Sequence, residues 1–424
     1  MGDVILKSAA LEDLLAATDG HAAEAAKADA VDGMAARWVA LPGSAQETGA
    51  VMRVAAEHDL AVVVRGSGSK LSWGALPERV DLVLDTSRMD QVVEHAAGDL
   101  IVVVGAGRRL ADLQQDLAGS DQWLGVDPPR GGTVGGLIAA AATGPARLLY
   151  GPVRDLVIGV TFVRADGVVA HSGGKVVKNV AGYDIGKLLT GSLGTLGVIT
   201  QAAFRLHPRP KARAWVSIPV SGDDIRWRPM QIQDLVQQVV HSQLVPSGVE
   251  LDRPERGTAT LSILLEGIPP GVQGRAAQAR DLLGPAATAS ERPPQWWGAE
   301  PESHGGSLLK VTHEIAGLAV LLTALDDVSA ATGVSAHLRG SVAVGSVNVA
   351  LAQVQPRDVV RFVERLRARA GSFGGSVVVL EAPVDVKAGL DVWGPVRGIG
   401  LMRAVKDQFD PQRRLAPGRF VGGI

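Results

Sequence analysis

In the stretch VVVRGSGSKLSWG, Val62 to Gly74, three valines run into Arg65, after which glycine alternates with serine. A loop with so few side chains can turn consecutive main-chain N–H groups inward around an anion, Gly66 and Gly68 permitting the torsions and Ser67, Ser69 and Ser72 adding hydroxyl donors. Hydrogen bonds to a charged acceptor are worth roughly 1.5–3 kcal/mol each. Read alone, the segment is equally a plain tight turn, and Arg65 equally a phosphate ligand or an ion-pair residue at a strand end. A second segment, GVDPPRGGTVGGLIAAAATG from Gly125 to Gly144, sets Thr133 between glycine pairs ahead of an alanine run. It predicts a short helix with almost no side-chain thickness, which either takes a flat ring or a diphosphate at its N-terminus or packs tightly on a strand. Acid–base candidates are few. His337 and Arg339, in SAHLRGSVAVG, are two apart on an expected strand and so share a face, as a base and a carboxylate-binding cation would have to. His313 with Glu314 and Arg205 with His207 are weaker pairs, and a strand histidine is more often structural than catalytic.

Composition closes several routes. The 424 residues carry a formal net charge of −2 with Lys and Arg scattered, which argues against nucleic acid as a partner. The absence of cysteine excludes disulfides, thiolate metal sites and cysteine-ligated clusters from this chain, and no His, Asp and Glu spacing suggests a metal. The N-terminus lacks the layout of a signal peptide, and the longest apolar runs, such as Ala316 to Leu325, are roughly half of the ~20 residues a span needs. A cytoplasmic protein is expected, peripheral to the membrane at most through partners. GAGRRL at Gly105 lacks the third glycine of a dinucleotide fingerprint, since Leu110 stands there, and neither GSGSKL nor SGGKVV ends as a P-loop does.

The elements that must position these residues alternate between strand and helix from about Arg37 to His207. Strands are expected at RWVAL, VVVRG, DLVLD, DLIVVVGAG, VIGVTFV, VVAHS and GVITQAAFRL, with a helix from the N-cap Ser44 to His58 and another near Leu110 to Leu117. HPRPK, His207 to Lys211, is a proline-punctuated boundary. Beyond it the order β-α-β-β-α occurs twice, with a closing strand at least once, which suits two ferredoxin-like halves side by side. A loop containing Trp296 and Trp297 separates them and reads as cover for a flat ligand or as a partner surface.

Four segments taken in order carry a resemblance that none carries alone: the Gly-Ser loop; TVGG with TGPAR; the run G-x-x-RD-x-x-x-G from Gly151; and the NVAGYD and GTLGVIT elements. The chain resembles the vanillyl-alcohol oxidase type of flavoprotein with its PCMH-type FAD-binding domain, and more narrowly the FAD-binding subunit of bacterial glycolate oxidase. The resemblance implies an α+β protein: a two-subdomain FAD-binding domain over 37–210 after an N-terminal helical segment, 1–36. A ferredoxin-like cap would follow over 211–385, and a helix and tail over 386–424 would return towards the FAD domain. It implies that Arg65, Gly66, Ser67, Gly68, Ser69 and Lys70 hold the FAD pyrophosphate. Pro129, Gly132, Thr133, Gly135, Gly136 and Ala139 would line the diphosphate and ring. Gly144, Gly151 and Asp155 would shape the next turn, and Gly197, Val198 and Ile199 would back the adenosine end. With no histidine or cysteine in the loop, the flavin is expected to be non-covalent. Relatives that oxidise 2-hydroxy acids often carry Glu where Leu193 stands and Asn where Ala141 stands, and the H-x-x-x-G-D-G-N element that supplies their base is absent. The implied function is therefore a flavoprotein subunit of a glycolate or related 2-hydroxy-acid dehydrogenase, paired with a catalytic FAD subunit and an iron-sulfur subunit. A stand-alone FAD enzyme acting on an alcohol or hydroxy acid is the alternative.

Overall fold

The computed structural model describes residues 2–174, 183–220, 229–255, 257–303 and 305–424. The NVAG part of the NVAGYD element lies outside the described residues. A helix, Gly2–Ala17, leads into a short strand, Ala22–Glu24, which pairs antiparallel with Trp38–Ala40. Trp38–Ala40, Leu82–Asp85 and Val62–Arg65 then run parallel to one another, so the N-terminal segment is not helical throughout but adds a strand to this sheet. Parallel strands covered on both faces read as unbroken apolar runs, and Val62, Leu82, Val83 and Leu84 are fully buried. The crossover helix Ala45–Glu57 begins where Ser44 accepts from the Glu47 N–H at 3.0 Å, while the Glu47 carboxylate accepts from Gly43 N–H at 2.7 Å. Ser44→Ala is expected to lower the stability of this module by about 1 kcal/mol, read as a lower urea midpoint at unchanged slope.

The second subdomain is an antiparallel five-stranded sheet ordered Val92–Ala96, Ile101–Gly105, Val198–Arg205, Val157–Val163, Val169–Gly173. Strand Val92–Ala96 is not evident in the sequence, because VVEHA is only partly buried and carries two charged or polar residues. The G-x-G at Gly105 is a turn. A Cβ at Gly105 would lie 2.2 Å from the Met89 carbonyl oxygen and one at Gly107 2.0 Å from that of Thr86, so both glycines are fixed by backbone packing. His207–Pro208 at the chain's boundary pairs with Gln122–Trp123.

Beyond it lies one eight-stranded antiparallel sheet, ordered Thr288–Ser290, Ala212–Val220, Ala259–Gly267, Gly248–Arg253, Ala336–Ser341, Ser346–Leu351, Ser307–Thr312, Ser376–Glu381. Each half has the ferredoxin-like spatial order 4-1-3-2, and the halves join through their second strands, Gly248–Arg253 against Ala336–Ser341. Alternation along each strand divides the residues between two faces. Val249, Leu251, Leu338, Val349 and Leu309 bury against the helices Pro229–Val240, Pro269–Leu283, Leu318–Thr332 and Pro356–Arg369. The opposite face looks towards the first module and carries the polar residues. Ile315–Thr332 is, among the described residues, apolar and long enough to cross a membrane. Its Leu318, Leu321, Leu322 and Leu325 are fully buried in this core.

The C-terminal helix Ile399–Phe409 and its tail return to the first module. Val62 N–H donates to the Arg414 carbonyl at 2.8 Å and Ala416 N–H to the Val62 carbonyl at 2.8 Å, continuing the parallel sheet by one bridge. Lys406 is fully buried there and donates to Asp410 at 2.7 Å, to the Thr195 carbonyl at 2.8 Å and to the Leu415 carbonyl at 2.9 Å.

Candidate functional site

The Gly-Ser loop leaves the carboxyl end of strand Val62–Arg65, the end at which open parallel sheets bind ligands. Arg65 does not point a free guanidinium into it: Nε donates to Asp85 at 2.8 Å and the terminal nitrogen pairs with Asp29 from the N-terminal segment. The ion-pair reading of Arg65 is the one the structure supports. Beyond Arg65 the main chain is bare. Among the described residues no backbone bond uses the N–H groups of Ser67, Gly68, Ser69 or Lys70, and Gly68 sits at φ 74°. Gly132, at φ 111°, faces them. A Cβ on it would lie 3.1 Å from Ser69 Oγ, 3.4 Å from Lys70 Nζ and 3.5 Å from Ser67 Oγ, so three donors converge on one glycine. Burial pushes the Lys70 ammonium down to about 8, with Arg130 adding to the shift and Glu300 opposing it.

The loop opens on two adjoining cavities. One is closed by Gly132, Thr133, Gly136, Ala139, Leu193 and Arg419. The other, ≈ 640 Å³, extends along Asp85, Ser87, Gly107 and Arg109. Free amides, converging hydroxyls and space that a single Cβ would fill suit the diphosphate and ring of FAD. One expectation is corrected. The alanine-rich helix is only Val134–Ala139, and its first N–H groups are already used: Val134 donates to the Arg108 carbonyl, Gly135 to the Ala106 carbonyl and Gly136 to Thr133 Oγ1. Its N-terminus offers no free amides, and the anion-binding capacity belongs to the loop.

A further cavity lies between this module and the polar face of the eight-stranded sheet. Cross-strand register lays its wall in two rows. Lys310, Asn348 and Arg339 are successive partners in one, whose register continues to Asp252 outside the lining, and Ser346, Ser341 and Glu250 in the next. The facing wall is Lys70, Trp73, Pro128, Pro129, Ala141 to Pro145 and Arg147, and Gly298 to Glu300 of the inter-half loop close the side. Arg339 is neutralised, its Nε donating to Asp252 at 2.7 Å and a terminal nitrogen to the Glu300 carbonyl at 2.8 Å. Lys310 and Arg147 have no ion-pair partner among the described residues. Burial and the neighbouring Arg147 hold the Lys310 ammonium below its ordinary value. Glu250, 4% exposed, accepts from Ser341 Oγ, and burial pushes its carboxyl up to about 8.

The residues expected from the sequence divide accordingly. Arg65 to Lys70, Gly132, Thr133, Gly136 and Ala139 line the loop's cavity, while Pro129 and Gly144 line the cavity under the sheet. Gly135 packs on Ala106, a Cβ there falling 2.9 Å from the Ala106 Cβ. Gly151, at φ 83°, ends the helix Arg147–Tyr150 beside Asp155, away from these cavities. Gly197 abuts Phe162, and Val198 and Ile199 are buried in the protein core, so these three back the fold and do not line the cavity. His337 lies one row beyond the cavity wall, opposite Ala350, and its Nε2 bonds to Asp252 at 2.8 Å. His207 packs edge-on against Tyr150 and His313 bonds to the Glu314 carbonyl, both structural. Trp297 packs against Trp215 and Trp296 lies 5.8 Å under the Arg339 guanidinium, so both rings fold onto the sheet and are half-buried. Ala141 and Leu193 hold left-handed torsions, φ 46° and 52°, a region that Asn enters more readily than either. Glu250, Lys310 and Arg147 were missed; for the first two the available signal was a charge alternating with core-facing apolar residues along a strand, as in GVELDR and SLLKVT, while Arg147 lies on a short helix. No group of metal-ligating side chains occurs among the described residues.

Residues 36–173 match the family model of an FAD binding domain. The chain is 39% identical over 184 residues to D-lactate dehydrogenase of Archaeoglobus fulgidus, a match covering 43% of this chain and 41% of that protein. It is 31% identical over 237 residues to glycolate oxidase subunit GlcE of Escherichia coli, covering 54% of this chain and 61% of the relative. Both matches thus span less than two thirds of the relative's length. Among solved structures it resembles 4-ethylphenol oxidase from Gulosibacter chungangensis, with a TM-score of 0.74 at 15% identity over 98% of this chain and 97% of the other. At that identity the likeness concerns the fold.

Proposed function

We propose, for a chain that belongs to the FAD-linked oxidoreductases built on a PCMH-type FAD binding domain, that it oxidises a small 2-hydroxy acid within a glycolate-dehydrogenase type of complex. The observation that carries this reading is the pair of cations without an ion-pair partner among the described residues, Lys310 and Arg147, in a cavity that also holds one buried carboxylate, Glu250. A carboxylate placed between the cations relieves their mutual repulsion. The hydroxyl of the same small molecule then reaches the Ser341 and Glu250 row. Ser67 to Lys70, Gly132 and Thr133 would hold FAD, whose ring supplies the two-electron acceptor for the substrate's C–H bond. Pro129, Ala141 and Gly144 line the space between loop and sheet. An iron-sulfur centre that took the electrons onward would sit on a partner, since a cysteine-free chain cannot ligate one through thiolates; the likeness to a named glycolate oxidase subunit supports that arrangement. The alternative is a self-sufficient FAD-dependent dehydrogenase or oxidase acting on an alcohol or hydroxy acid.

Anaerobic mixing of the flavin-loaded chain with glycolate and with D-lactate tests the reading, alone and after co-purification with native partners. Bleaching of the flavin by either acid is expected, and multiple turnovers with an artificial acceptor only slowly without the partner. Flavin that stays oxidised with every 2-hydroxy acid, even in the assembled complex, sinks it. Lys310→Met is expected to raise KM by about ten- to a hundredfold with a smaller change in kcat, because a charge-assisted bond of roughly 1.5–3 kcal/mol to the carboxylate is lost.

A further inference from the structure

We propose that Glu250, and not His337, receives the hydroxyl proton of the substrate, with Ser341 orienting its carboxylate. This rests on the hydroxy-acid reading above and names the proton acceptor of that same site.

Strand Gly248–Arg253 places Val249 and Leu251 in the core and therefore Glu250 and Asp252 on the face towards the flavin-binding module. Their fates differ. Asp252 is committed to His337 and Arg339, and those hydrogen bonds outweigh its burial and hold its carboxyl below the ordinary range. Glu250 is committed on one oxygen only: Oε1 accepts from Ser341 Oγ, its register partner on the second half's strand, while Oε2 has no protein partner among the described residues. Glu250 lines the cavity and His337 does not. An acceptor must touch the proton it takes, so position alone separates the two.

The charged groups around Glu250 are Arg339 on the adjacent strand, Lys310 two strands further, Lys70 and Arg147 on the opposite wall, Glu300 at the side and Asp127 behind that wall. Burial raises the Glu250 carboxyl most, Asp127 raises it further, and Ser341 and Arg339 oppose both, leaving it at about 8. Asp127 itself is pushed up to about 7 by burial, with its bonds from the Ala146 N–H opposing. A buried carboxylate that ionises near neutrality is matched to drawing a proton from an alcohol. In the step, the substrate O–H bond breaks and its proton joins Glu250 Oε2. The O–H electron pair becomes the second bond of the new carbonyl. The C2–H electron pair would leave as hydride to the two-electron acceptor that bound FAD would supply, and a 2-keto acid would remain.

Glu250→Gln is tested in the flavin-loaded protein with its partners. Flavin content and oxalate affinity by calorimetry at pH 7 are expected to stay as in the wild type, because glutamine resembles the protonated acid that predominates there. The rate of flavin reduction by the hydroxy acid is expected to fall about 10²- to 10⁴-fold. In the wild type that rate should rise with pH through a limb near 8, and the limb should vanish in Glu250→Gln. Ser341→Ala should move the limb to higher pH, since a bond that favours the ionised form is removed. His337→Gln should keep the limb. A Glu250→Gln protein with the wild-type limb, or a His337→Gln protein that lacks it, overturns the assignment. Wild-type flavin that no 2-hydroxy acid reduces overturns the hydroxy-acid reading, and this role with it.

Discussion

Gly66→Val is expected to give a folded protein that binds FAD weakly and loses it on desalting. The Gly66 backbone passes so near the start of the alanine-rich helix that a Cβ would lie 2.1 Å from Thr133 Oγ1 and 3.2 Å from its Cβ and Cγ2. Thr133 cannot rotate away freely, since its hydroxyl accepts from the Gly136 N–H at 3.3 Å. The loop must therefore move, and with it the free N–H groups of Ser67 to Lys70. Overpacking of this kind costs about 1–3 kcal/mol, which corresponds to roughly 5- to 150-fold in affinity if it falls on the bound state. The measurement is flavin affinity by fluorescence titration, with far-UV circular dichroism as the control for folding. Thr133→Ala in the same chain should recover part of the loss by removing the colliding atoms. Wild-type affinity in Gly66→Val would show that the loop does not carry the cofactor.

The largest effect on stability is expected at Asp410. Its carboxylate is fully buried and accepts from Lys406 Nζ at 2.7 Å, from Leu415 N–H at 2.7 Å and from Arg414 N–H at 2.9 Å. Asp410→Ala strips the buried ammonium of its counter-charge and two backbone donors of their acceptor, a class of change that costs about 3–5 kcal/mol. Thermal unfolding followed by flavin release should shift to clearly lower temperature. Asp410→Ala with Lys406→Met should be less destabilised than the single variant, because no unpaired charge remains. A double variant worse than the single one would mean that Lys406 acts through its two carbonyl contacts and not through the ion pair. The same tail carries Arg419, whose guanidinium donates to the carbonyls of Leu71 and Trp73. Loosening of the tail should therefore also weaken flavin retention.

Most elements were legible because their signals are local. Strand Val62–Arg65 announces itself by three β-branched residues, helix Ala45–Glu57 by Ser44 and Glu47, and the twin halves by a repeated order of elements. The bare loop was visible as a run of Gly and Ser, but read alone it was equally a tight turn, and only the order of four segments gave it a ligand. Three things were hidden. Whether Arg65 meets phosphate or protein depended on Asp29, which is 36 residues away, on a strand-adjacent segment that the sequence presents as helical. Whether the helix at Val134 offers free amides depended on the carbonyls of Ala106 and Arg108. His337 looked catalytic by residue type, but its place one row past the cavity follows from the register between strands far apart in the chain. Register also makes Glu250 and Lys310 neighbours of the cavity. Neither is conspicuous in a one-dimensional reading.

The union of the two halves through strands Gly248–Arg253 and Ala336–Ser341 also governs how the protein is made. The partners Glu250 and Ser341 are 91 positions apart, so the emerging chain must hold a strand of the first half at a temporary sheet margin until the second half has left the ribosome. An unpaired margin invites pairing with another molecule, and inward-pointing charges are a known protection against it. Glu250 and Asp252, on the strand's non-core face, give that waiting margin its charge. In this view, exchanging both acids for hydrophobic residues would lower the yield of soluble protein during synthesis, before any question of turnover arises.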